Sequence, residues 1–420
     1  MTSLIDTAAV SALADQPLDW RFKGLPVGWE GRTPAQICAG APGLFPVDVG
    51  DRPLSPLCVL DADALARNLA TMAQWCDARG VGLAPHGKTH MSPQLLAMQF
   101  DAGATAVTAA TIGQVRTFRA FGVRAVLLAN QLVDAAGLRW LAAEYDAHPD
   151  FRLVCWVDSE AGVAIMQQQL QASGLQRPID VCVEVGAAGA RTGCRTPADI
   201  EAVARAAVRA DHLRLAGVAG YEAALGHDVS APAQQTIRDY LQTVRDAAMR
   251  MAPLIETDDM LVTAGGSTHF DLVAEMLTGW PAGMAVRTVL RSGAYLTHDD
   301  GLYARTSPLT RDGARDFVPA LSVWAQVCSR PEPGLALVTM GRRDVGFDQD
   351  LPLPRGLPGS AVTALNDQHA FLSVPADAPV AVGDWLQFGI SHPCTTFDKW
   401  QLIPLVDTDN RVIDLIRTYF

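Results

Sequence analysis

Pro85-His86-Gly87-Lys88-Thr89-His90 follows directly on the apolar run Val81-Gly82-Leu83-Ala84. A short strand that ends in a tight turn and then presents a lysine puts that amine at the mouth of a sheet or barrel, where it can meet a ligand aldehyde. Lys88 is therefore a candidate Schiff-base residue. The competing reading is a solvated lysine at a strand end.

Outward from this turn, between about residue 55 and about residue 300, short β-rich apolar runs alternate with longer segments of helical spacing. The runs Leu57 to Leu60, Val81 to Ala84, Ala104 to Thr108, Ala125 to Ala129, Leu153 to Val157, Ile179 to Val185, Leu213 to Ala219, Met260 to Ala264 and Ala285 to Leu290 read as strands. Asp63 to Arg79, Ile112 to Phe121, Ala161 to Ala172, Ala198 to Ala210 and Ala233 to Met251 read as helices. Roughly eight βα units in about 250 residues is the count of a (β/α)8 barrel. The alternative is a doubly wound open sheet, but no GxGxxG follows the first strand. Beyond about residue 305, runs such as Phe317 to Val327, Leu335 to Thr339, Ala370 to Val374 and Trp385 to Ile390 are separated by Gly, Pro and Asp turns with little room for helices. The expected division is a Pro- and Gly-rich extension (residues 1–51) packing on either part, a TIM-like α/β barrel (52–304) and a smaller all-β domain (305–420).

The 420 residues carry a net charge of −12, and 49% are hydrophobic. No run of Lys or Arg exceeds two residues, which argues against nucleic acid or an anionic membrane as partner. The eight cysteines are dispersed without a CxxC pair, as free thiols in a reducing compartment would be. The N-terminal residues have neither a basic nor an apolar leader segment, and no apolar stretch approaches the ~20 residues that span a bilayer. A cytoplasmic location is expected.

Three other stretches carry chemistry. Thr263-Ala264-Gly265-Gly266-Ser267-Thr268 closes one apolar strand and opens a helix-like segment, and reads either as a phosphate cup or as a plain Gly-rich turn with a hydroxyl cap. Glu184 to Arg195 places Arg191 in a Gly-rich βα loop, on the barrel face of Lys88, where it can bind a carboxylate or a ring nitrogen; an ordinary surface arginine is the alternative. In Ser391-His392-Pro393-Cys394, imidazole and thiolate at i, i+2 of an extended segment can face one zinc ion, whereas a metal-free buried turn is the competing reading.

Together these motifs resemble the fold-type III pyridoxal-phosphate (PLP) enzymes, and among them the D-serine dehydratases, D-threonine aldolases and D-hydroxyaspartate dehydratases. The marks are PHGKTH, similar to the family's PH-x-KTH signature, the GGST loop and the HPC pair, and the resemblance runs from about residue 52 onward. It implies an alanine racemase-like architecture, with Lys88 as the cofactor lysine, His86 supporting it, Arg191 beside the cofactor ring and Tyr221 lining the pocket. Gly265, Gly266, Ser267, Gly293 and Tyr295 resemble phosphate-binding elements, and His392 and Cys394 resemble the zinc ligands of the dehydratases, where aldolases characteristically place aspartate at the second position. Departures are RSG at residues 291–293 in place of RPG, and His227 displaced from the position where several relatives carry a histidine.

The implied activity is PLP- and zinc-dependent loss of water from a D-serine-like β-hydroxy amino acid, giving a keto acid and ammonia, in a homodimer. Its rivals are retro-aldol cleavage of D-threonine type, amino-acid racemisation and a non-catalytic PLP carrier. His148, His212 and His298 read as surface or core-edge residues. His369 reads either as an outer-shell residue at the substrate end or as uninvolved, and Gly341 to Asp348 either as a loop completing the pocket or as a solvated connection.

Overall fold

A computed structural model describes residues 3–45, 51–313 and 316–420. The chain divides into two compact units, one made of residues 1–6, 73–88 and 99–293, the other of residues 7–72, 89–98 and 294–420.

The first unit contains eight parallel strands: β1 (Gly82–Leu83), β2 (Val107–Ala109), β3 (Ala125–Gln131), β4 (Arg152–Val157), β5 (Ile179–Val185), β6 (Leu213–Gly220), β7 (Met260–Ala264) and β8 (Val286–Leu290). From β2 to β8 each pairs with its neighbour in sequence, and β1 pairs with β8. The remaining edges meet through a parallel bridge between His86 and Thr108 and the bonds Thr105 N to Leu83 O and Thr108 N to Pro85 O, both 2.8 Å. The sheet thus closes into the expected barrel. Its interior is filled by Ala84, Ala106, Leu127, Trp156, Cys182, Ala219, Leu261 and Val289, one from each strand segment, so that Trp156 has small side chains to lie among. Helices begin where caps are encoded: Thr111 before Ile112–Ala120, Ser159 before Glu160–Ala172, and a Thr196/Asp199 capping box with Pro197 at the start of Pro197–Val208. Helices Pro93–Asp101, Ala135–Ala147 and Phe270–Met276 went unread in the sequence. The last two are interrupted by Gly137 or are only seven residues long, too little for a clear period.

The second unit is built on a nine-stranded sheet. Leu57–Asp61, read from its apolar run as the first barrel strand, instead lies between Leu321–Glu332, antiparallel, and Leu402–Val406, parallel. Four consecutive buried residues suit a parallel barrel strand and the centre of any two-sided sheet equally well. Residues 7–45 belong to this unit and pack Leu18, Leu25, Trp29 and Ile37 against Leu57 and Leu415. All eight cysteines are free, and among the described residues no helix is long and apolar enough to cross a membrane.

His298, expected at a surface or core edge, is 2% exposed, its ring 5.7 Å from that of Phe317 and its Nε2 without a hydrogen-bond partner. Burial pushes its pKa down to about 4. Because the unfolded chain binds a proton near the ordinary value and the folded chain does not, stability is intact above that value and falls as pH drops toward the folded pKa. By this linkage His298 alone lowers stability by about 2 kcal/mol between about pH 7.5 and about pH 5. His298→Asn suits the left-handed φ of +47°. It is expected to remove that much of the pH slope in urea titrations; an unchanged slope contradicts the assignment.

Candidate active site

Lys88 lies in the turn Gly87–Thr89 that follows β1, with its side chain exposed. The chain has only two other lysines. Lys23 pairs with Asp344 at 2.8 Å over the Trp400 ring, and Lys399 pairs with Asp398 at 3.1 Å. Among the described residues Lys88 has no hydrogen-bond or ion-pair partner. Beside it, His86 keeps a buried Nδ1 with no partner. Burial, followed by the charges of Lys88, Arg291 and Arg191, pushes this imidazole well below its ordinary pKa, so it stands neutral.

Arg191 projects from the loop after β5, its guanidinium 4.4 Å from the centre of the Tyr221 ring. That loop is folded around Arg195, which donates to the carbonyls of Thr192 (3.0 Å) and Gly193 (2.6 Å), while Gly193 N donates to Asp158 (3.0 Å). Tyr221 immediately follows β6, its N–H donating to Tyr240 Oη (2.9 Å), which in turn donates to Val185 O (2.7 Å). Lys88, Arg191, Tyr221 and the Gly265 loop therefore all leave the barrel at the carboxyl ends of its strands, the end at which barrel sites are built.

The glycine loop corrects one expectation. Gly265, at φ +100°, and Gly266 do present two adjacent N–H groups, but both donate to the fully buried carboxylate of Glu222, at 3.0 and 2.6 Å. They are not free for a ligand phosphate. Ser267, by contrast, and the Gly293 N–H have no partner among the described residues. His227 reaches Thr268 Oγ1 at 2.7 Å and so ties the loop after β6 to this one.

Sequence reading missed Arg291, at the end of β8. This guanidinium is 3% exposed, donates to Thr263 Oγ1 (2.7 Å) and Gly220 O (2.6 Å), and leaves Nε unpartnered. Burial lowers its pKa, opposed by the charges of Glu222 and Glu184. Its position one residue before Ser292 in the RSG stretch was the available signal.

In the second unit, Tyr295 is buried against Phe317, and His392 and Cys394 share a turn. The segment is not extended: His392 takes φ +63° and Cys394 opens the short helix Cys394–Phe397. The turn sets imidazole and thiol near enough for the thiol to raise the imidazole pKa. His392 Nδ1 meets Asp348 Oδ2 at 2.5 Å, Asp348 Oδ1 accepts from Thr395 Oγ1 at 2.6 Å, and Cys394 Sγ donates to Thr89 Oγ1 at 3.5 Å. Burial opposes charge on His392, but Cys394 and then Asp348 carry its pKa up to about 9; this is a place that stabilises positive charge. The His392 N–H donates at 2.9 Å to Asp299, whose other oxygen accepts from Gly301, Tyr303 and Ala304. Among the described residues no three His, Cys, Asp or Glu side chains converge on one metal position. His369 is exposed on the hairpin turn before Ala370–Ser373, and among the described residues its side chain has no hydrogen bond or ion pair.

A family model described as "Alanine racemase, N-terminal domain" matches residues 60–274, half of the chain, and one described as "Putative serine dehydratase domain" matches residues 320–406. The chain is 28% identical to a D-threonine aldolase of Arthrobacter sp over 353 residues, covering 82% of this chain and 86% of that protein. It is 29% identical to the D-threo-3-hydroxyaspartate dehydratase of Delftia sp. (strain HT23) over 392 residues, covering 85% and 95%. The crystal structure of D-threonine aldolase from Filomicrobium marinum matches with a TM-score of 0.75 at 25% identity, over 87% of this chain and 95% of that one. With its closed barrel, its mostly-β second unit and these matches, the chain belongs to the fold-type III PLP enzymes, in the family of the D-serine dehydratases and D-threonine aldolases.

Proposed function

We propose that the protein is a PLP-dependent lyase that removes water from a D-serine-like β-hydroxy amino acid, with zinc held by His392 and Cys394, to give a keto acid and ammonia. The residues on the barrel fit the cofactor. An unpartnered lysine amine, an orphaned buried Nε on Arg291, uncommitted donors at Ser267 and Gly293, and a floor at Gly266 where an added Cβ would sit 3.2 Å from the Tyr221 ring are what a phosphorylated aromatic aldehyde needs. When bound, the cofactor supplies a ring that withdraws electrons from the substrate Cα. Lys88 holds it and exchanges the Cα proton. The neutral His86 accepts or donates a hydrogen bond beside that amine without adding a fourth positive charge. Arg191 covers Tyr221 and holds the pocket wall in place.

Cys394 at the second position of the pair favours the dehydratase, and the His392–Asp348 contact supports zinc there. Once a metal takes the place of the Nε2 proton, a carboxylate on Nδ1 is the usual support of a zinc-bound histidine. Zinc there supplies a Lewis acid toward the substrate hydroxyl. Two protein ligands leave coordination positions for water and substrate. The D-threonine aldolase relatives favour a second reading in which the same residues serve cleavage of Cα–Cβ. Product analysis on D-serine, D-threonine and D-threo-3-hydroxyaspartate tests both: keto acid with ammonia supports the dehydratase, glycine with an aldehyde the aldolase, and an epimerised substrate alone a racemase. No turnover of any substrate would leave a PLP carrier.

The protein is also read as a homodimer, since C2 pairing is the commonest assembly and enzymes of this resemblance complete each pocket with a second subunit. Light scattering should give twice the chain mass; an active monomer at assay concentration excludes it.

A further inference from the structure

Glu222 is fully buried, carries no Lys, Arg or His within ion-pair distance among the described residues, and spends both oxygens on the consecutive N–H groups of Gly265 and Gly266. Two adjacent amides with one residue at positive φ form a concavity of the kind that binds phosphate. Here the chain fills it with its own anion. The same two strand ends are tied to a third, that of β8, by a buried cation: Arg291 donates to Gly220 O at the end of β6 and to Thr263 Oγ1 in β7, its backbone N–H donates to Gly265 O at 3.2 Å, and Ser292 Oγ donates to Gly266 O at 3.0 Å. Glu222 and Arg291 thus do not pair with each other. Glu222 is satisfied by the two glycine amides and Arg291, at all but its Nε, by the Gly220 and Thr263 oxygens, and together they set how the glycine loop leaves the barrel.

Resting on the reading of Lys88 as the PLP lysine, we propose that Glu222 is the positioning residue of the cofactor phosphate site: its carboxylate occupies the Gly265 and Gly266 amides, shapes the loop, and directs the phosphate to Ser267 and Gly293. A phosphate beside a buried carboxylate is repelled, so it must bind on the side of the loop where Ser267 Oγ and the Gly293 N–H are uncommitted. Removing the carboxylate frees two donors but releases the loop that aims the other two.

The test compares apo-protein binding of PLP with binding of pyridoxal, which lacks the phosphate, by protein fluorescence and by the visible band. Glu222→Ala should weaken PLP on the order of 10- to 100-fold, the scale on which outer-shell partners act, while pyridoxal stays within about threefold, so the preference for PLP collapses. Glu222→Gln, which retains one carbonyl acceptor, should fall between Glu222→Ala and the native protein, and it carries the test if Glu222→Ala does not fold. Ser267→Ala should weaken PLP alone. Equal weakening of PLP and pyridoxal in the Glu222 variants, or an unchanged ratio, overturns the proposal. Failure of the native protein to bind PLP at Lys88 would instead overturn the functional reading on which it rests.

Discussion

Lys88→Ala loses the visible absorption band of bound cofactor and, with it, turnover, by about 10^4-fold or more, since one side chain supplies both the covalent anchor and the proton-transfer group. The expectation rests on the contrast among three lysines. Lys23 and Lys399 are held by Asp344 and Asp398, whereas the Lys88 amine is exposed at the end of a barrel strand with no partner among the described residues. Both other lysines remain in the variant, which makes borohydride reduction a clean readout: the native protein should be fixed to the cofactor through the peptide carrying Lys88, and the variant not at all. A band that persists in Lys88→Ala and is still fixed to the chain by borohydride would show the assignment to be wrong.

Removing the metal, by chelator or by Cys394→Ala, should separate two steps that the intact enzyme joins. Exchange of the Cα proton of D-serine for deuterium depends on Lys88 and the barrel, and should continue. Release of keto acid depends on making hydroxide a tolerable leaving group, and should fall by at least about 100-fold, the range of a lost electrophilic contact. The His392–Asp348 contact sharpens the expectation. On the proposed reading His392, held by Asp348 at Nδ1, and Cys394 in the same turn are the two zinc ligands, and Cys394→Ala leaves one. Undiminished keto-acid release from verified metal-free protein would end both the zinc role and the preference for dehydratase over aldolase or racemase chemistry.

The sequence alone pointed to a parallel α/β fold, because a parallel sheet buried on both faces writes itself as short apolar runs with amphipathic crossovers between them; the count of about eight units favoured the barrel. Lys88, Arg191, the GGST loop and the His392/Cys394 pair stood out as candidates for a related reason: each sits in a short stretch of unusual local chemistry. The tertiary structure alone decided the rest. Leu57–Asp61 joins the second sheet rather than the barrel because its strand partners, near Trp324 and Leu405, are hundreds of residues away and leave no trace in a four-residue apolar run. Glu222 takes the amides assigned to phosphate, and Asp348 takes Nδ1 of His392, each across 44 positions of chain. Nothing in Gly220-Tyr221-Glu222 or Phe347-Asp348 distinguishes these carboxylates from solvated ones. What sets them apart is hydrogen bonding by groups that arrive only when distant segments of the fold are brought together, and local sequence pattern carries no information on that encounter.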